Sequence, residues 1–379
     1  MKVVVAPNAF KGCLSASEAA AAMAEGIAGV VPDAEIVRVP VADGGDGLVD
    51  VALEALVGEA RTVTVGGPLG RPVQARFCYV PAMSFAAIEM ALASGLALLS
   101  ENQRDATKTT TLGTGEMIAA ALDLGVSRIA VGIGGSATND GGVGMATALG
   151  VRFLDAEGAT VEPVGGALDR IRRIDASGLD PRVESVRFEA VCDVSNPLLG
   201  PKGASHVYGP QKGATPAQIE ALDAGLANLA AVIEADLGID VRNLPGAGAA
   251  GGLGAGLCAF LGAELRRGVD LVLDLVGLDQ RLEEADLVLT GEGQIDFQTV
   301  FGKAPAGVAA RARARNIPCL AIAGSVGENL GDLHAIGIDA VFSLCPGPVT
   351  LEQAMARGRH FLTRATEQVV RGFLSDRRR

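Results

Sequence analysis

Short runs of β-branched and aliphatic residues recur at both ends of this 379-residue chain, each followed by a Gly/Asp/Ser/Asn loop and an alanine-rich segment. A chain that passes through a helix after every strand pairs its strands in parallel and covers the sheet with those helices. Residues 2–6 lead through a loop at 7–14 into a helix reaching about Val30, its start marked by Ser15 and Glu18 as a capping box. Residues 35–41 lead through 42–47 into a helix to Val57, and residues 128–133 through 134–142 into a helix to Leu149. The rhythm returns with a strand at 286–289, a loop at 290–296, a helix near 305–315, and strands at 319–323 and 340–344. The middle is less regular. Strands at 62–65, 73–79 and 85–90, joined by turns at Gly67-Pro68 and Pro81, suit a mixed or antiparallel sheet. The expectation is an α/β protein. A Rossmann-like doubly wound parallel-sheet domain is formed by residues 1–66 with 282–379, and a second α/β domain containing a mixed sheet is inserted at 67–281.

Composition narrows the function classes. The 51 glycines are about 13% of the chain, nearly twice the usual share of roughly 7%, and they follow no G-X-Y period. They therefore belong to turns, tight packing, or loops that approach a ligand closely. A formal charge of −12 argues against nucleic acid or an anionic membrane as the main partner, though local lysines can still serve a small anionic substrate. The six cysteines are far apart with no CxxC, which reads as buried free thiols in a reducing cytoplasm. Residues 246–263 carry no charge, but seven of the 18 are glycine, so they read as a glycine loop entering a buried helix rather than a membrane span. The short apolar run after Lys2 ends at Pro7 and does not resemble a secretory segment. A cytoplasmic protein is expected.

In an open α/β sheet, ligands bind beyond the carboxyl ends of the strands, where these polar loops fall. Ordinary turn chemistry also explains any one of them, since Gly, Asn and Asp favour turns. The strongest local signal is Gly134-Gly135-Ser136-Ala137-Thr138-Asn139-Asp140-Gly141-Gly142, where paired glycines let backbone N–H groups reach a phosphate. Asp43, Asp46, Asp193, Glu292 and Asp296 form a carboxylate set of the kind phosphoryl transfer uses to hold Mg²⁺ and to accept a hydroxyl proton. Asp193 could equally close an Asx-turn, and Glu292 or Asp296 could cap the following helix. Lys11, Lys202, Lys212 and Lys303 each lie in a glycine-containing loop, which suits an anion better than a helix face does.

Absences weigh as well. The three histidines show no metal-ligand spacing, and neither a G-x-S-x-G elbow nor a Walker A loop occurs. Residues 246–251 match G-x-G-x-x-G but follow Asn243-Leu244-Pro245 rather than a clear strand. That match and the α/β rhythm leave a NAD-dependent dehydrogenase of a small hydroxy acid as one alternative. A non-catalytic small-anion sensor is another.

Seven motifs in order along nearly the whole chain resemble the bacterial type I glycerate kinases. They are Ala6-Pro7-Asn8-Ala9-Phe10-Lys11, Pro40-Val41-Ala42-Asp43-Gly44-Gly45-Asp46-Gly47, the segment 132–142, Cys192-Asp193-Val194-Ser195-Asn196-Pro197-Leu198, Gly209-Pro210-Gln211-Lys212-Gly213, the segment 245–254 and Thr290-Gly291-Glu292-Gly293. Two positions depart from the family pattern: Asn8 stands where Asp is usual, and Gln294 where Arg is usual. The resemblance implies ATP-dependent, Mg²⁺-assisted phosphorylation of D-glycerate, with 2-phosphoglycerate favoured over 3-phosphoglycerate as product, and an active site in a cleft between the two expected domains. On that footing Asp193 is the expected base, with Lys11 and Asp46 also catalytic. Asn8, Asp43, Gly134, Gly135, Ser136, Thr138, Asn139, Asp140, Lys212, Glu292 and Lys303 would bind substrate or phosphate, and Asp46 and Asp296 would hold metal.

Overall fold

A computed structural model describes residues 1–43, 47–300 and 302–376. Two compact units emerge: Met1–Asp43 with Val269–Arg379, and Gly44–Gly268. The crossings differ from the expected ones at 66 and 282 for identifiable reasons. Strand Glu59–Gly66 pairs antiparallel with Pro72–Val80, so it belongs to the inserted unit's sheet. Val269 and Leu273 pack against Gly307, which ties the segment after Gly268 to the first unit.

In the first unit, five strands lie in the order Ala340–Ser343, Cys319–Val326, Leu287–Ile295, Lys2–Pro7 and Glu35–Arg38. Every pairing is parallel. Val3, Val4, Val5 and Ala6 are all fully buried, as expected of a strand covered on both faces. The chain moves one way along the sheet from Lys2–Pro7 through helix Ala16–Ala28 to Glu35–Arg38. It moves the other way from Leu287–Ile295 through helix Ala304–Arg313 to Cys319–Val326. Right-handed crossovers then place the two helices on opposite faces, which makes the sheet doubly wound. Helix Gly358–Asp376 packs on Ala16–Ala28, and Val3, Val5, Ile27, Leu289, Ile322 and Leu362 share one core there. Ser15 and Glu18 form the expected capping box.

One expectation fails in an instructive place. Residues 290–295 are not a loop, because strand Leu287–Ile295 continues through them and only Asp296 of the expected loop lies beyond it. Gly291 is 2.1 Å, at its Cβ position, from the Ile322 carbonyl oxygen, so the close strand contact excludes a side chain there. Glu292 therefore projects from a strand.

The second unit carries a six-stranded sheet in the order Glu264–Arg266, Arg187–Val191, Arg128–Gly132, Phe85–Glu89, Pro72–Val80 and Glu59–Gly66. The first four strands run parallel, Pro72–Val80 runs antiparallel to its neighbours on both sides, and Glu59–Gly66 again follows the first four, giving the mixed sheet. A two-stranded ribbon, Arg152–Leu154 with Arg173–Asp175, stands beside it. Glu189, with no solvent exposure, accepts hydrogen bonds from Arg128 Nε (2.6 Å) and Arg266 Nη1 (2.8 Å), binding three adjacent strands through one carboxylate.

Glycine sets how closely elements approach in this unit. Helix Leu112–Leu122 lies so near strand Glu59–Gly66 that a Cβ on Gly113 would stand 1.9 Å from the Gly66 carbonyl oxygen. Gly113→Ala is therefore expected to cost about 1–3 kcal/mol, with Tm falling by several degrees in a thermal melt. An unchanged Tm would contradict this packing. The glycine tract enters helix Ala249–Leu261 through left-handed backbone at Ala250, Gly251 and Gly252, a loop running into a buried helix as expected. All six cysteines are free, but only Cys78 and Cys319 are fully buried. Among the described residues no helix is long and apolar enough to cross a membrane.

Candidate active site

Each unit carries its own cluster of the residues singled out above. In the first unit the cluster grows from neighbouring strand ends. Asn8 follows strand Lys2–Pro7, and its N–H donates to the Gly291 carbonyl at 2.8 Å, beside Glu292. Asn8 Nδ2 donates to Asp43 Oδ1 at 3.1 Å. The same oxygen accepts the Ala304 N–H at 2.7 Å, so Asp43 caps helix Ala304–Arg313 from far away in sequence. Asn8 thus serves as a donor to a carboxylate, which Asp at that position could not do while ionised.

Glu292 is nearly buried and accepts a hydrogen bond from Thr299 Oγ1 at 3.1 Å. Lys303 Nζ stands 3.7 Å from Glu292 Oε1. Burial pushes the Glu292 pKa up to about 7. Lys303 and the Thr299 hydroxyl oppose the rise, and the negative charges of Asp43 and Asp296 add to it. Asp296 is oriented by Gln294 Nε2 at 2.9 Å and by the Gln298 N–H at 2.9 Å. Neither Glu292 nor Asp296 caps helix Ala304–Arg313, since Lys303 is its N-cap residue and Asp43 meets its first N–H. Lys11 is exposed, with its backbone N 3.4 Å from the Cβ position of Gly293. Asp46 lies outside the described residues.

In the second unit the loop 134–142 leaves the end of strand Arg128–Gly132, as its sequence suggested. Most of its polar side chains turn inward. Asp140 has no exposure and accepts from Thr111 N (2.7 Å), Thr111 Oγ1 (2.8 Å), Gly144 N (3.2 Å) and Gly142 N (3.3 Å). Burial raises its pKa against those donors, which favour the charged form. Asn139 Nδ2 donates to Ser205 Oγ at 3.1 Å. Lys212, 1% exposed, donates to Ser136 Oγ at 2.8 Å and to the Thr138 carbonyl at 2.7 Å. Expected as substrate ligands, Thr138, Asn139, Asp140 and Lys212 are instead buried within the loop's own framework.

The exposed part of the loop is its glycine turn. Gly135 has φ +67°, and among the described residues the N–H groups of Gly134, Gly135 and Ser136 meet no acceptor. Successive unpartnered amides in such a turn form a concavity suited to an anion. The tract at 246–251 packs instead of binding a dinucleotide: a Cβ on Gly251 would stand 2.0 Å from the Thr138 carbonyl oxygen, and one on Gly248 2.1 Å from that of Pro197. Asp193 is exposed past the end of strand Arg187–Val191, where its Oδ1 accepts the Gly268 N–H at 2.9 Å. Lys202 is exposed on the surface.

The sequence reading missed Thr111 and Thr299. Thr299 follows Asp296 by three residues, a spacing typical of local capping, so a signal for it existed. Thr111 closes a run of three threonines ahead of Leu112-Gly113-Thr114-Gly115, yet nothing local ties it to Asp140.

Burial lowers the Lys212 pKa to about 7, while Asp140 partly offsets the shift. Between that value and the ordinary lysine value near 10.4, the unfolded chain binds a proton that the folded chain does not, so stability rises with pH across this window. Relative to Lys212→Met, the wild-type protein is therefore expected to gain Tm between pH 7 and pH 9. A pH-independent difference would contradict the desolvated lysine.

Among the described residues, no three Asp, Glu, His or Cys side chains converge on a metal position. Mg²⁺ in phosphoryl-transfer sites usually takes only one or two carboxylates, completing its shell with phosphate oxygens and water. The charges of Asp43 and Asp296 both bear on Glu292, with Lys303 opposing them, so carboxylates for such a partial shell lie near one another.

Comparison with known proteins agrees over the full length. The glycerate kinase family profile matches residues 3–374. The glycerate kinase of Bacillus subtilis (strain 168) is 48% identical over 370 residues, covering 98% of this chain and 97% of the relative. The glycerate 2-kinase of Escherichia coli (strain K12) is 47% identical over 370 residues, with the same coverage of 98% and 97%. A crystal structure described provisionally as glycerate kinase 2 from Salmonella typhimurium LT2 superposes with a TM-score of 0.89 at 47% identity, covering 100% of both chains. A doubly wound sheet assembled from both chain ends, a glycine turn with unpartnered amides and this end-to-end similarity converge: the chain belongs to the glycerate kinase family and is a kinase.

Proposed function

We propose that the protein transfers the γ-phosphoryl group of ATP to a hydroxyl of D-glycerate, giving ADP and 2-phosphoglycerate. The observation that carries this reading within the site is the Gly134–Gly135–Ser136 turn at the loop's exposed end, whose N–H groups meet no acceptor among the described residues. The choice of acceptor and of the 2-position rests on similarity to the Escherichia coli relative named glycerate 2-kinase.

In this reading the turn amides bind phosphate oxygens, and Lys11 and Lys303 add positive charge. Asp193, oriented by the Gly268 N–H, accepts the proton of the attacking hydroxyl. Asp46 keeps the catalytic and metal-binding role expected from the sequence. One or two of the carboxylates Asp43, Glu292 and Asp296 would hold Mg²⁺ together with phosphate oxygens and water, and the ion when bound would neutralise charge on the triphosphate. Buried Lys212, Asp140, Asn139 and Thr138 act indirectly by holding the glycine turn in shape. Positioning and charge neutralisation carry most of the rate in a loose phosphoryl-transfer transition state.

Coupling ATP and D-glycerate to enolase, with phosphoglycerate mutase omitted, tests the product. Phosphoenolpyruvate is expected, because enolase acts on the 2-phosphate directly. ADP without phosphoenolpyruvate would favour the 3-product, and absence of ADP would overturn the substrate pair.

A further inference from the structure

The first unit carries a cavity on the face of its sheet opposite Glu292. Leu287, Leu289, Leu344 and Phe361 belong to the core beneath helices Ala16–Ala28 and Gly358–Asp376. Glu292 is three residues beyond Leu289 on the same strand, so strand alternation turns it to the other face. On the Leu344 side a cavity of about 490 Å³ opens between the end of edge strand Ala340–Ser343 and helix Gly358–Asp376. That volume falls in the range of small-molecule sites.

Its wall is apolar and its mouth is cationic. Phe342 and Val349 line it while remaining 39% and 36% exposed. Arg357, in the turn just before helix Gly358–Asp376, reaches it together with His360 and Arg364, which lie four residues apart on that helix and so on one of its faces. Among the described residues no Asp or Glu lines the cavity. Among the described residues neither arginine pairs with a carboxylate, whereas the adjacent Arg359 is taken up by Glu25. The Arg357 guanidinium lies 4.8 Å from the centre of the Phe361 ring, so its side chain rests on an apolar support. In a chain of net charge −12, such a locally positive and acid-free mouth is a selective feature.

We propose that this cavity is a second ligand site, taking an organic anion with a flat apolar body such as an aryl or heteroaryl phosphate. The apolar body lies against Phe342 and Val349, and the anionic group meets Arg357 and Arg364. This inference goes beyond the kinase reading and does not depend on it.

The test is calorimetric titration of the full-length protein with 1-naphthyl phosphate, compared with inorganic phosphate and 1-naphthol. Saturable binding at one site per chain is expected, with each half-probe at least about tenfold weaker. The double variant Arg357→Gln/Arg364→Gln is expected to lose at least about tenfold in affinity while keeping wild-type Tm and kinase activity, because both arginines are exposed. Phe342→Ala should weaken binding of the probe independently. Equal affinity in the double variant, equal binding of 1-naphthol, or no saturable binding would overturn the proposal. Displacement of the probe by ATP with glycerate would also overturn it, by placing the probe in the catalytic site.

Discussion

Asp140→Ala is expected to destabilise the protein by about 3–5 kcal/mol and lower Tm by roughly 10 °C, the largest stability effect of any single substitution in the glycine loop. Four donors lose their acceptor at once: Thr111 N, Thr111 Oγ1, Gly144 N and Gly142 N. Each buried donor left without a partner costs about 1–3 kcal/mol, less whatever relaxation recovers. Lys212 also loses the anion that favours its charged form. A second substitution separates these contributions. If the stranded lysine carries part of the cost, Asp140→Ala/Lys212→Met should be more stable than the sum of the two single changes indicates. Strict additivity would show that the two buried charges do not communicate, and a Tm within about 2 °C of wild type for Asp140→Ala would remove the loop's supposed keystone.

Glu292→Gln is expected to act in the opposite sense on stability and to damage catalysis. The amide keeps the side chain's shape and can still accept from Thr299, but it removes a carboxylate that burial and the charges of Asp43 and Asp296 disfavour. Tm should hold or rise. Catalytic efficiency, kcat/KM, should fall by about 10²-fold or more, equivalent to roughly 2.7 kcal/mol of transition-state stabilisation. Such a split marks a group kept for function at some expense in stability. Unchanged kinetics would remove Glu292 from the site, and a large fall in Tm would make it a structural residue.

The sequence made the first unit's architecture legible because strand, polar loop and helix follow one another locally. Ser15 with Glu18 marked a helix start that the structure reproduces. The strands at 62–65, 73–79 and 85–90 were visible from β-branched runs and turn residues, although the first extends back to Glu59. Strand Leu287–Ile295 was cut short because Thr290-Gly291-Glu292-Gly293 has loop composition, while pairing with Cys319–Val326 holds it extended. Tertiary context overrode local propensity there.

Site residues were recognised as polar, but their orientation was hidden. Nothing near Lys212 announces that its ammonium is enclosed by Ser136 and Thr138, residues more than seventy positions away. Likewise Asp43 resembled a free carboxylate beside glycines, yet Asn8 and the Ala304 N–H share one of its oxygens. Glycine shows both limits. Gly134–Gly135 supplies the open turn, whereas Gly251 and Gly113 exist to let backbone approach backbone. Composition cannot separate these uses.

The most direct test of phosphoryl transfer to glycerate is a ³¹P NMR time course with ATP, Mg²⁺ and D-glycerate. The γ-phosphate signal should decay in step with a new phosphomonoester signal coupled to a single proton, the pattern of phosphorylation at the 2-position. Decay of the γ-phosphate into inorganic phosphate alone, with glycerate unchanged, would contradict it.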